Sequence, residues 1–354
     1  LLDDGKLIFE VVSTDKKSMV EAKVIQGGSL KSKKGVNLPN TKLSLPALTS
    51  KDVIDTKFAI KQDVDWIALS FVRNSNDIMD LRKLIDQHTD HKIPIIAKIE
   101  KPEAIENIDK IISYCDGLMV ARGDLGVEIP PAEVPLIQKE LVKRAKKARI
   151  PVIIATQMME SMITTPVPTR AEVFDVANAV LDGTDAVMLS AETAVGKYPV
   201  ETVQAMARVI EGAEKYPLAQ RSTHRINETF TRIDESVALA TMYIANHLED
   251  VSAIICMTKT GFTPLIMSRI NSSMPIYAMA QKEGTSEITA LYKGVFPIPF
   301  ETDMLPTQEI KLRAIEKLRS RGAVNSGDVV LITRGDIIDL GGSTNGLQVI
   351  RIED

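Results

Sequence analysis

The pattern of hydrophobic and polar positions changes twice along the chain. Near the N-terminus, two runs of β-branched and apolar residues, 7–12 and 19–25, flank a polar stretch, which predicts an antiparallel pair of strands. From residue 51 onward, short apolar runs alternate with segments whose apolar residues repeat at helical spacing. The pattern predicts a β-rich domain followed by two α/β domains, over residues 1–38, 39–216 and 217–354.

The middle domain contains five apolar runs that end in polar residues. They are predicted as strands over residues 66–71, 94–100, 117–124, 151–157 and 186–192. Helical segments separate them, and one of these helices begins with a capping box formed by Thr169 and Glu172. Alternation of apolar strands with helices predicts a parallel sheet covered by helices.

Chemically reactive side chains collect at the ends of these strands. Side chains two residues apart in a strand point to the same face, so Lys98 and Glu100 are predicted to project together. Other strand ends carry Ser70, Arg122 with Asp124, Thr156, and Ser190 with Glu192.

This arrangement favours a (β/α)8 barrel over an open doubly wound sheet. In a barrel the carboxyl ends of all strands face one mouth, whereas an open sheet would use a single crevice. The predicted fold class is therefore α/β, with the last five βα units of a partial TIM barrel. Because a barrel needs eight units and the chain starts at Leu1, about three N-terminal units are expected to be missing.

The C-terminal region has its own alternating pattern and is predicted to be a separate α/β domain. Its predicted strands cover residues 253–257, 276–280, 295–300, 329–333 and 347–352. The turn after the first of these strands precedes a helix and holds Thr258, Lys259, Thr260, Gly261 and Thr263. Hydroxyls, a lysine and amides at a helix start suit a phosphate group, and a plain capped helix is the alternative.

Composition narrows the class of protein. The 354 residues, 44% hydrophobic and 25% charged, are ordinary for a globular domain protein, and a net charge of -4 argues against nucleic-acid binding. No apolar run is long enough to cross a membrane, so neither a membrane nor a nucleic acid is an expected partner. Cys115 and Cys256 are predicted to be reduced packing residues, which suggests a cytoplasmic protein.

Five sequence segments carry a resemblance to a known family. In chain order they are Ser32 to Pro39 (SKKGVNLP), Ile96 to Glu100 (IAKIE), Met119 to Gly126 (MVARGDLG), Ala155 to Met162 (ATQMMESM) and Pro168 to Glu172 (PTRAE). The chain resembles the pyruvate kinase family in these motifs and their order. The resemblance covers the whole chain, as the later part of a β-rich lid domain, five barrel units and a C-terminal regulatory domain.

The resemblance implies an activity and its cofactors. Pyruvate kinases transfer the phosphoryl group of phosphoenolpyruvate to ADP, and the remaining enolate is protonated to pyruvate. Glu100 and Asp124 would hold Mg²⁺ or Mn²⁺, and Lys98 would neutralise charge on the phosphoryl group. The need for K⁺ stays open, because most ligands of that ion would come from earlier barrel units.

The same resemblance implies roles for other strand-end residues. The backbone amides of one turn would hold the carboxylate of phosphoenolpyruvate. Thr156 would lie near the enolate and position it or relay its proton, with Ser190 and Glu192 adding to the proton path. The residues of the substrate turn are Ala121, Arg122, Gly123 and Asp124.

Two further features come from the resemblance alone. Lys34 would reach the nucleotide phosphates, and Asp3 and Asp4 resemble carboxylates of a lid that closes over the site. In the C-terminal domain, the turn at 258–263 would bind a phosphorylated activator under the loop Gly341 to Gly346, in a homotetramer.

Two other functions stay open from the sequence. A metal-dependent aldolase or lyase that forms a pyruvate enolate would also use a strand-end Glu and Asp. It would need neither Lys98 nor a nucleotide lid. A truncated chain acting only as a scaffold or regulatory subunit is the non-enzymatic alternative.

Overall fold

The protein is described here as a computed structural model, whose contacts divide it into two compact units. It describes residues 1–2, 5–30, 32, 35–39, 41, 46, 48–220, 229–282, 284–301, 306–335 and 344–353. The first unit comprises Leu1–Arg144, Ile154–Met158 and Met188–Ser190. The second comprises Ala145–Ile153, Met159–Val187 and Ala191–Asp354. The domain boundaries after residues 38 and 216 remain predictions.

An antiparallel hairpin forms the N-terminal region. Strands β1 (Ile8–Thr14) and β2 (Val20–Gln26) pair as the sequence predicts. At the turn, the carboxylate of Asp15 accepts hydrogen bonds from the amides of Lys17, Ser18 and Met19. These bonds, led by that from Met19, lower the pKa of Asp15, and they close the hairpin.

The first five-stranded sheet contains all five predicted strands of the middle domain, but two of them end earlier than predicted, because residues 122–124 and 191–192 lie in helices. Its strands lie side by side in chain order, and the first two neighbouring pairs are parallel. This order agrees with consecutive units of a (β/α)8 barrel, because a doubly wound sheet reverses its strand order. The strands are β3 (Ile67–Leu69), β4 (Ile95–Ile99), β5 (Gly117–Ala121), β6 (Val152–Ala155) and β7 (Ala186–Met188).

Helices follow the strands of this sheet. Thr169 and Glu172 form the predicted capping box at the start of one of them, and that helix ends at Gly183, whose φ is 93°. A 3₁₀ turn covers Glu160–Ile163. The helices are α1 (Ser50–Lys61), α2 (Ser75–Asp86), α3 (Pro102–Glu106), α4 (Ile108–Ile112), α5 (Arg122–Glu128), α6 (Val134–Ala148), α7 (Arg170–Asp182), α8 (Ala191–Ala194), α9 (Pro199–Glu214) and α10 (Pro217–Gln220).

The second five-stranded sheet belongs to the C-terminal region and has the order β10-β9-β8-β11-β12. Strand β12 is antiparallel to β11, and the other neighbours are parallel. Its strands are β8 (Val251–Thr258), β9 (Ile276–Ala280), β10 (Val295–Pro299), β11 (Val329–Gly335) and β12 (Thr344–Arg351). Its helices are α11 (Ile233–His247), α12 (Phe262–Ser268), α13 (Thr285–Thr289) and α14 (Thr307–Arg319). Strands β9 and β10 are added on one side of β8, and strands β11 and β12 on its other side. Doubly wound sheets form a ligand-binding crevice at such a reversal of strand order, here between β8 and β11.

A buried ionic network lies at the amino ends of β6 and β7. Asp185 and Arg269 form an ion pair whose side chains are 0% and 2% exposed. Asp185 also accepts hydrogen bonds from the amides of Val152 and Lys293. Burial, with the nearby charges of Lys293 and Arg269, lowers the pKa of Lys146 to about 8. The sequence alone did not predict this network.

Both cysteines are free and buried, as predicted. Burial raises the pKa of Cys115 and of Cys256 to about 12, so neither thiol is ionised at neutral pH. In the described part of the chain, no helix is long and apolar enough to cross a membrane.

Candidate active site

Lys98 and Glu100 lie together at the end of β4, as the strand period predicts. The Nζ atom of Lys98 lies 2.7 Å from Oε1 of Glu100 and donates a hydrogen bond to Oγ of Ser70 at 2.8 Å. The amide of Phe71 donates to Oε2 of Glu100 at 2.6 Å. The side chain of Glu100 is 1% exposed and that of Lys98 is 24% exposed, so the carboxylate is buried while the lysine side chain reaches solvent.

Oε1 of Glu100 is buried and forms an ion pair with the ammonium group of Lys98. Apart from that ammonium group, no described group donates a hydrogen bond to this oxygen. A buried carboxylate is costly unless cations or donors lie beside it, and here Lys98 supplies one positive charge. Among the described residues, no three acidic, cysteine or histidine side chains converge on one point. A hard divalent cation fits this donor set, because Mg²⁺ commonly uses one or two carboxylates and completes its shell with substrate oxygens and water.

The substrate turn predicted from the sequence begins α5. Ala121 is the N-terminal cap residue of α5, and no side chain caps it. Lys98 pairs with Met119 in the parallel register, and Ile99 pairs with Val120. The next positions on the two strands are Glu100 and Ala121, so the turn carrying Asp124 follows directly beside the end of β4.

The amide of Gly123 is bound to Thr156, a contact that the sequence did not reveal. It donates to Oγ1 of Thr156 at 2.7 Å, and that hydroxyl donates to the carbonyl of Ala155 at 2.6 Å. A Cβ atom on residue 123 would lie 3.3 Å from the same hydroxyl, so glycine allows this close approach. The predicted carboxylate site therefore has its Gly123 amide paired with Thr156 in this state.

Thr156 has a strained backbone. Its φ is 70°, and that of Gln157 is 57°, in the left-handed region that a β-branched residue rarely adopts. Arg122 supports this conformation, because its guanidinium donates to the carbonyl of Thr156 at 2.7 Å and approaches the sulfur of Met158 at 2.8 Å. The contacts of Arg122 thus hold the turn after β6.

The two proposed proton-relay residues differ in their surroundings. Glu192, on α8, is 2% exposed and accepts a hydrogen bond from the amide of Met159 at 3.3 Å. Ser190 follows the end of β7 by two residues. Lys34, Asp3 and Asp4 lie outside the described residues, as do positions 341–343 of the predicted effector loop.

A second ion pair involves Lys101, the residue that follows Glu100 in the chain. Nζ of Lys101 lies 2.5 Å from Oε1 of Glu128, and their side chains are 15% and 4% exposed. Asn37 donates to the same oxygen at 3.0 Å. The sequence analysis missed this cluster, although Glu128 stands four residues after Asp124 on α5, where it shares a helix face.

The predicted effector turn lies at the reversal point of the second sheet. The amide of Gly261 donates to Oγ1 of Thr258 at 2.9 Å, and the hydroxyls of Thr263 and Thr344 are 2.7 Å apart. Gly261 caps α12 with a φ of 77°, and no side chain caps this helix. Thr260 is exposed.

Arg232 lies near this turn and was not predicted from the sequence. Its guanidinium carbon lies 4.7 Å from the ring centre of Phe262. A cation over an aromatic face is attracted to the ring, so the turn has a basic neighbour in addition to Lys259.

The fold and these contacts define a class of protein: an α/β protein with a lysine and carboxylate pair at the strand ends of its first sheet and a doubly wound second sheet. Residues 1–203 match the family model "pyruvate kinase, barrel domain", and residues 235–350 match "pyruvate kinase, alpha/beta domain". The chain belongs to the pyruvate kinase family.

Curated relatives agree with the family models. Pyruvate kinase II of Salmonella typhimurium is 48% identical over 360 residues, which cover 100% of this chain and 74% of the relative. A pyruvate kinase of Buchnera aphidicola from Schizaphis graminum is 48% identical, over 99% of this chain and 73% of its own length. The enzyme of Geobacillus stearothermophilus is 45% identical, over 100% of this chain and 60% of its own.

Proposed function

We propose that the strand-end cluster of β4 and α5 is the phosphoryl-transfer site of a pyruvate kinase, which converts phosphoenolpyruvate and ADP to pyruvate and ATP. The observation that carries this proposal is the buried ion pair between Oε1 of Glu100 and Nζ of Lys98, 2.7 Å apart at the end of a strand. A cation-binding oxygen next to a fixed ammonium group suits a transferring phosphoryl group, which carries charge on several oxygens. No observation on the described residues favours the lyase or the scaffold.

Lys98 is the proposed electrostatic catalyst. Ser70 and Glu100 hold its ammonium group in place before the substrate arrives, so little reorganisation is needed during the reaction. Its partial exposure leaves room for a phosphoryl oxygen to approach.

Glu100 and Asp124 are the proposed ligands of Mg²⁺ or Mn²⁺. When bound, the cation supplies positive charge against the charge that develops on the phosphoryl oxygens. The amide of Phe71 fixes the other oxygen of Glu100, which leaves Oε1 directed at the cation position. K⁺ is proposed as a second cofactor on the family relationship alone.

Thr156 is proposed to change partners when phosphoenolpyruvate binds. The substrate carboxylate would accept hydrogen bonds from the turn of Ala121 to Asp124, and it would displace the Thr156 hydroxyl from the Gly123 amide. The hydroxyl is then available to the enolate, where it positions or relays a proton. Ser190 and Glu192 are proposed as later members of that path.

The remaining roles concern the nucleotide, the effector and assembly. Lys34 is proposed to reach the nucleotide phosphates under a closing lid. The turn from Thr258 to Thr263 is proposed to bind a phosphorylated metabolite at the β8 and β11 reversal point, where such ligands bind in open sheets. A homotetramer is proposed for the assembled enzyme.

The test is pyruvate formation from phosphoenolpyruvate and ADP with Mg²⁺, compared between the wild type and Glu100→Gln. The substitution removes the charge of the proposed metal ligand at the same size, so we expect a loss of about a hundredfold or more and weaker Mn²⁺ binding by electron paramagnetic resonance. Glu106→Gln, on the exposed surface of α3, is the matched control. Unchanged Mn²⁺ affinity in Glu100→Gln would refute the metal assignment, and pyruvate release without ADP would show hydrolysis of phosphoenolpyruvate in place of phosphoryl transfer to ADP.

A further inference from the structure

Glu128 is a buried carboxylate that the proposed chemistry does not use. It is the last residue of α5, its side chain is 4% exposed, and one of its oxygens contacts both Lys101 and Asn37. Placing a carboxylate here without partners would be costly, so the two contacts are needed to hold it.

These contacts join three separate parts of the first unit. Lys101 follows the proposed metal ligand Glu100 at the end of β4, and its Nζ lies 5.9 Å from the ring centre of Phe71. The amide of Phe71 in turn holds Glu100. Glu128 is therefore linked to Glu100 indirectly, through Lys101 and the contact of Lys101 with Phe71.

Asn37 belongs to the segment that follows the hairpin and leads toward α1. This segment pairs with Leu1, because the amide of Asn37 donates to the carbonyl of Leu1 at 2.9 Å and the backbone nitrogen of Leu1 donates to the carbonyl of Asn37 at 2.8 Å. Leu2 bridges to Val36 and to Leu7 at the base of the hairpin. A movement of residues 35–39 thus moves the base of the hairpin as well.

Helix α5 links this segment to the substrate turn. It begins with Arg122, Gly123 and Asp124 and ends at Glu128, so its length is about 10 Å at the rise of an α-helix. Near its end, Val127 lies 3.7 Å from the Cβ position of Gly5 in the hairpin base. A helix of this length moves as one body, so its two ends cannot shift independently.

We propose that Glu128 is a positioning residue that couples the hairpin base to the substrate turn through its hydrogen bond with Asn37. When phosphoenolpyruvate and Mg²⁺ engage residues 122–124, α5 and Glu128 fix Asn37 and thereby the segment that carries the hairpin. The substrate then orders the attachment of the predicted lid without touching the hairpin. The inference rests on the proposed function.

Asn37→Leu is the specific variant, because it removes the hydrogen-bond donor and leaves the ion pair of Lys101 and Glu128 intact. Gln26→Leu is the matched control: its amide also ties the hairpin base, to the carbonyl of Lys6 at 3.0 Å, but it does not contact α5. A second variant combines Glu128→Leu with Lys101→Met, which removes the acceptor without leaving a buried unpaired charge.

Hydrogen exchange measures the coupling. In the wild-type enzyme, phosphoenolpyruvate with Mg²⁺ should slow amide exchange both at residues 122–126 and at residues 35–39, the latter by about fivefold or more. In Asn37→Leu and in the double variant, the slowing at 122–126 should persist while that at 35–39 is lost. Gln26→Leu should behave like the wild type.

Steady-state kinetics separate positioning from a general loss of structure. Loss of a hydrogen bond to a buried charge commonly changes an equilibrium constant by about tenfold to a hundredfold. The KM for ADP in Asn37→Leu should therefore rise by about tenfold while kcat changes little. Partial unfolding would lower kcat alone. Equal slowing at residues 35–39 in the wild type and Asn37→Leu, with pyruvate still formed, overturns this inference alone. Absence of pyruvate formation by the wild type overturns the proposed function, and this inference with it.

Discussion

The two five-stranded sheets differ in the residues that have positive φ angles in the turns after their strands. After the strands of the first sheet, positive φ angles fall on Phe71, Thr156 and Gln157. After strands of the second sheet, in the part that the structure describes, they fall on Gly261 and Gly284. In the turns that follow their strands, the first sheet therefore has positive φ angles on residues with side chains, and the second has them on glycines.

The difference follows from what each turn contributes to its site. At Thr156 the turn must present a hydroxyl to the amide of Gly123, so a side chain is required in a strained conformation. At Gly261 a Cβ atom would come 2.7 Å from Cγ2 of Thr289, so the backbone itself must pass closely. The turn at Thr156 therefore depends on the side chain it carries, and the turn at Gly261 depends on the absence of one.

Lys98→Met should have the largest effect. Loss of one preorganised charge commonly costs about a hundredfold to a thousandfold in rate, so phosphoryl transfer should be crippled. Protonation of the enolate, followed as proton exchange of added pyruvate, should remain measurable. Lys92→Met, whose side chain is 72% exposed, is the control. Near-normal pyruvate formation in Lys98→Met would remove the assignment of this lysine.

Thr156→Val tests whether the strained turn exists for its hydroxyl. Valine keeps the branched shape and removes the proton, so turnover should fall by about a hundredfold, as general acid-base groups contribute. The KM for phosphoenolpyruvate should not rise, because the Gly123 amide is freed. Thr156→Ser should lose less than about tenfold. Equal activity of the two variants would show that the hydroxyl takes no part in catalysis.

Thr260→Glu tests the reversal point of the second sheet. A carboxylate at this exposed position should repel a phosphate, so an activation expected to be about tenfold should be lost while unstimulated turnover is retained. The assay compares fructose bisphosphate, AMP and ribose 5-phosphate at subsaturating phosphoenolpyruvate. Activation of the variant equal to that of the wild type, or activation of neither, would leave this turn without an effector role.

Gly261→Ala and Gln157→Gly test the strain itself by urea unfolding. Alanine at residue 261 adds an unfavourable φ and a contact with Thr289, so the free energy of unfolding should fall by about 2 kcal/mol. Glycine at residue 157 relieves strain and adds chain entropy to the unfolded state, so the change should stay below about 1 kcal/mol. Similar losses in both variants would contradict the contrast between the sheets.

The smallest expected effect is the pH dependence of the free energy of unfolding that comes from Lys146, in the ionic network at the amino ends of β6 and β7. Burial and the nearby charges of Lys293 and Arg269 lower the pKa of Lys146 from 10.5 to about 8. Between pH 8 and pH 10.5, the unfolded state therefore binds more protons at this lysine than the folded state does. The free energy of unfolding therefore rises as pH increases through this range, by about 1 kcal/mol between pH 8 and 9. Lys146→Met should be more stable at pH 7 and should lose this part of the pH dependence. The exposed Lys147→Met is the control, and an unchanged pH slope in Lys146→Met would contradict the expectation.

The predictable part of the site consists of short-range relations. Lys98 and Glu100 are two residues apart in a buried strand, so their common direction follows from strand geometry. Thr169 and Glu172 form their capping box for an equally local reason. The bond between Gly123 and Thr156 spans 33 residues and depends on a φ of 70°, which no residue pattern signals.

The sequence by itself determined the order of strands and helices, the polar strand ends and the family. These features depend on local periodicity and on motifs that are continuous in the chain. Only the tertiary structure decided that Glu128 contacts Asn37, 91 residues away, and that Asp185 pairs with Arg269, 84 residues away. Such pairs form because buried charges need partners, and the partner is whichever group the packing of distant segments brings within reach.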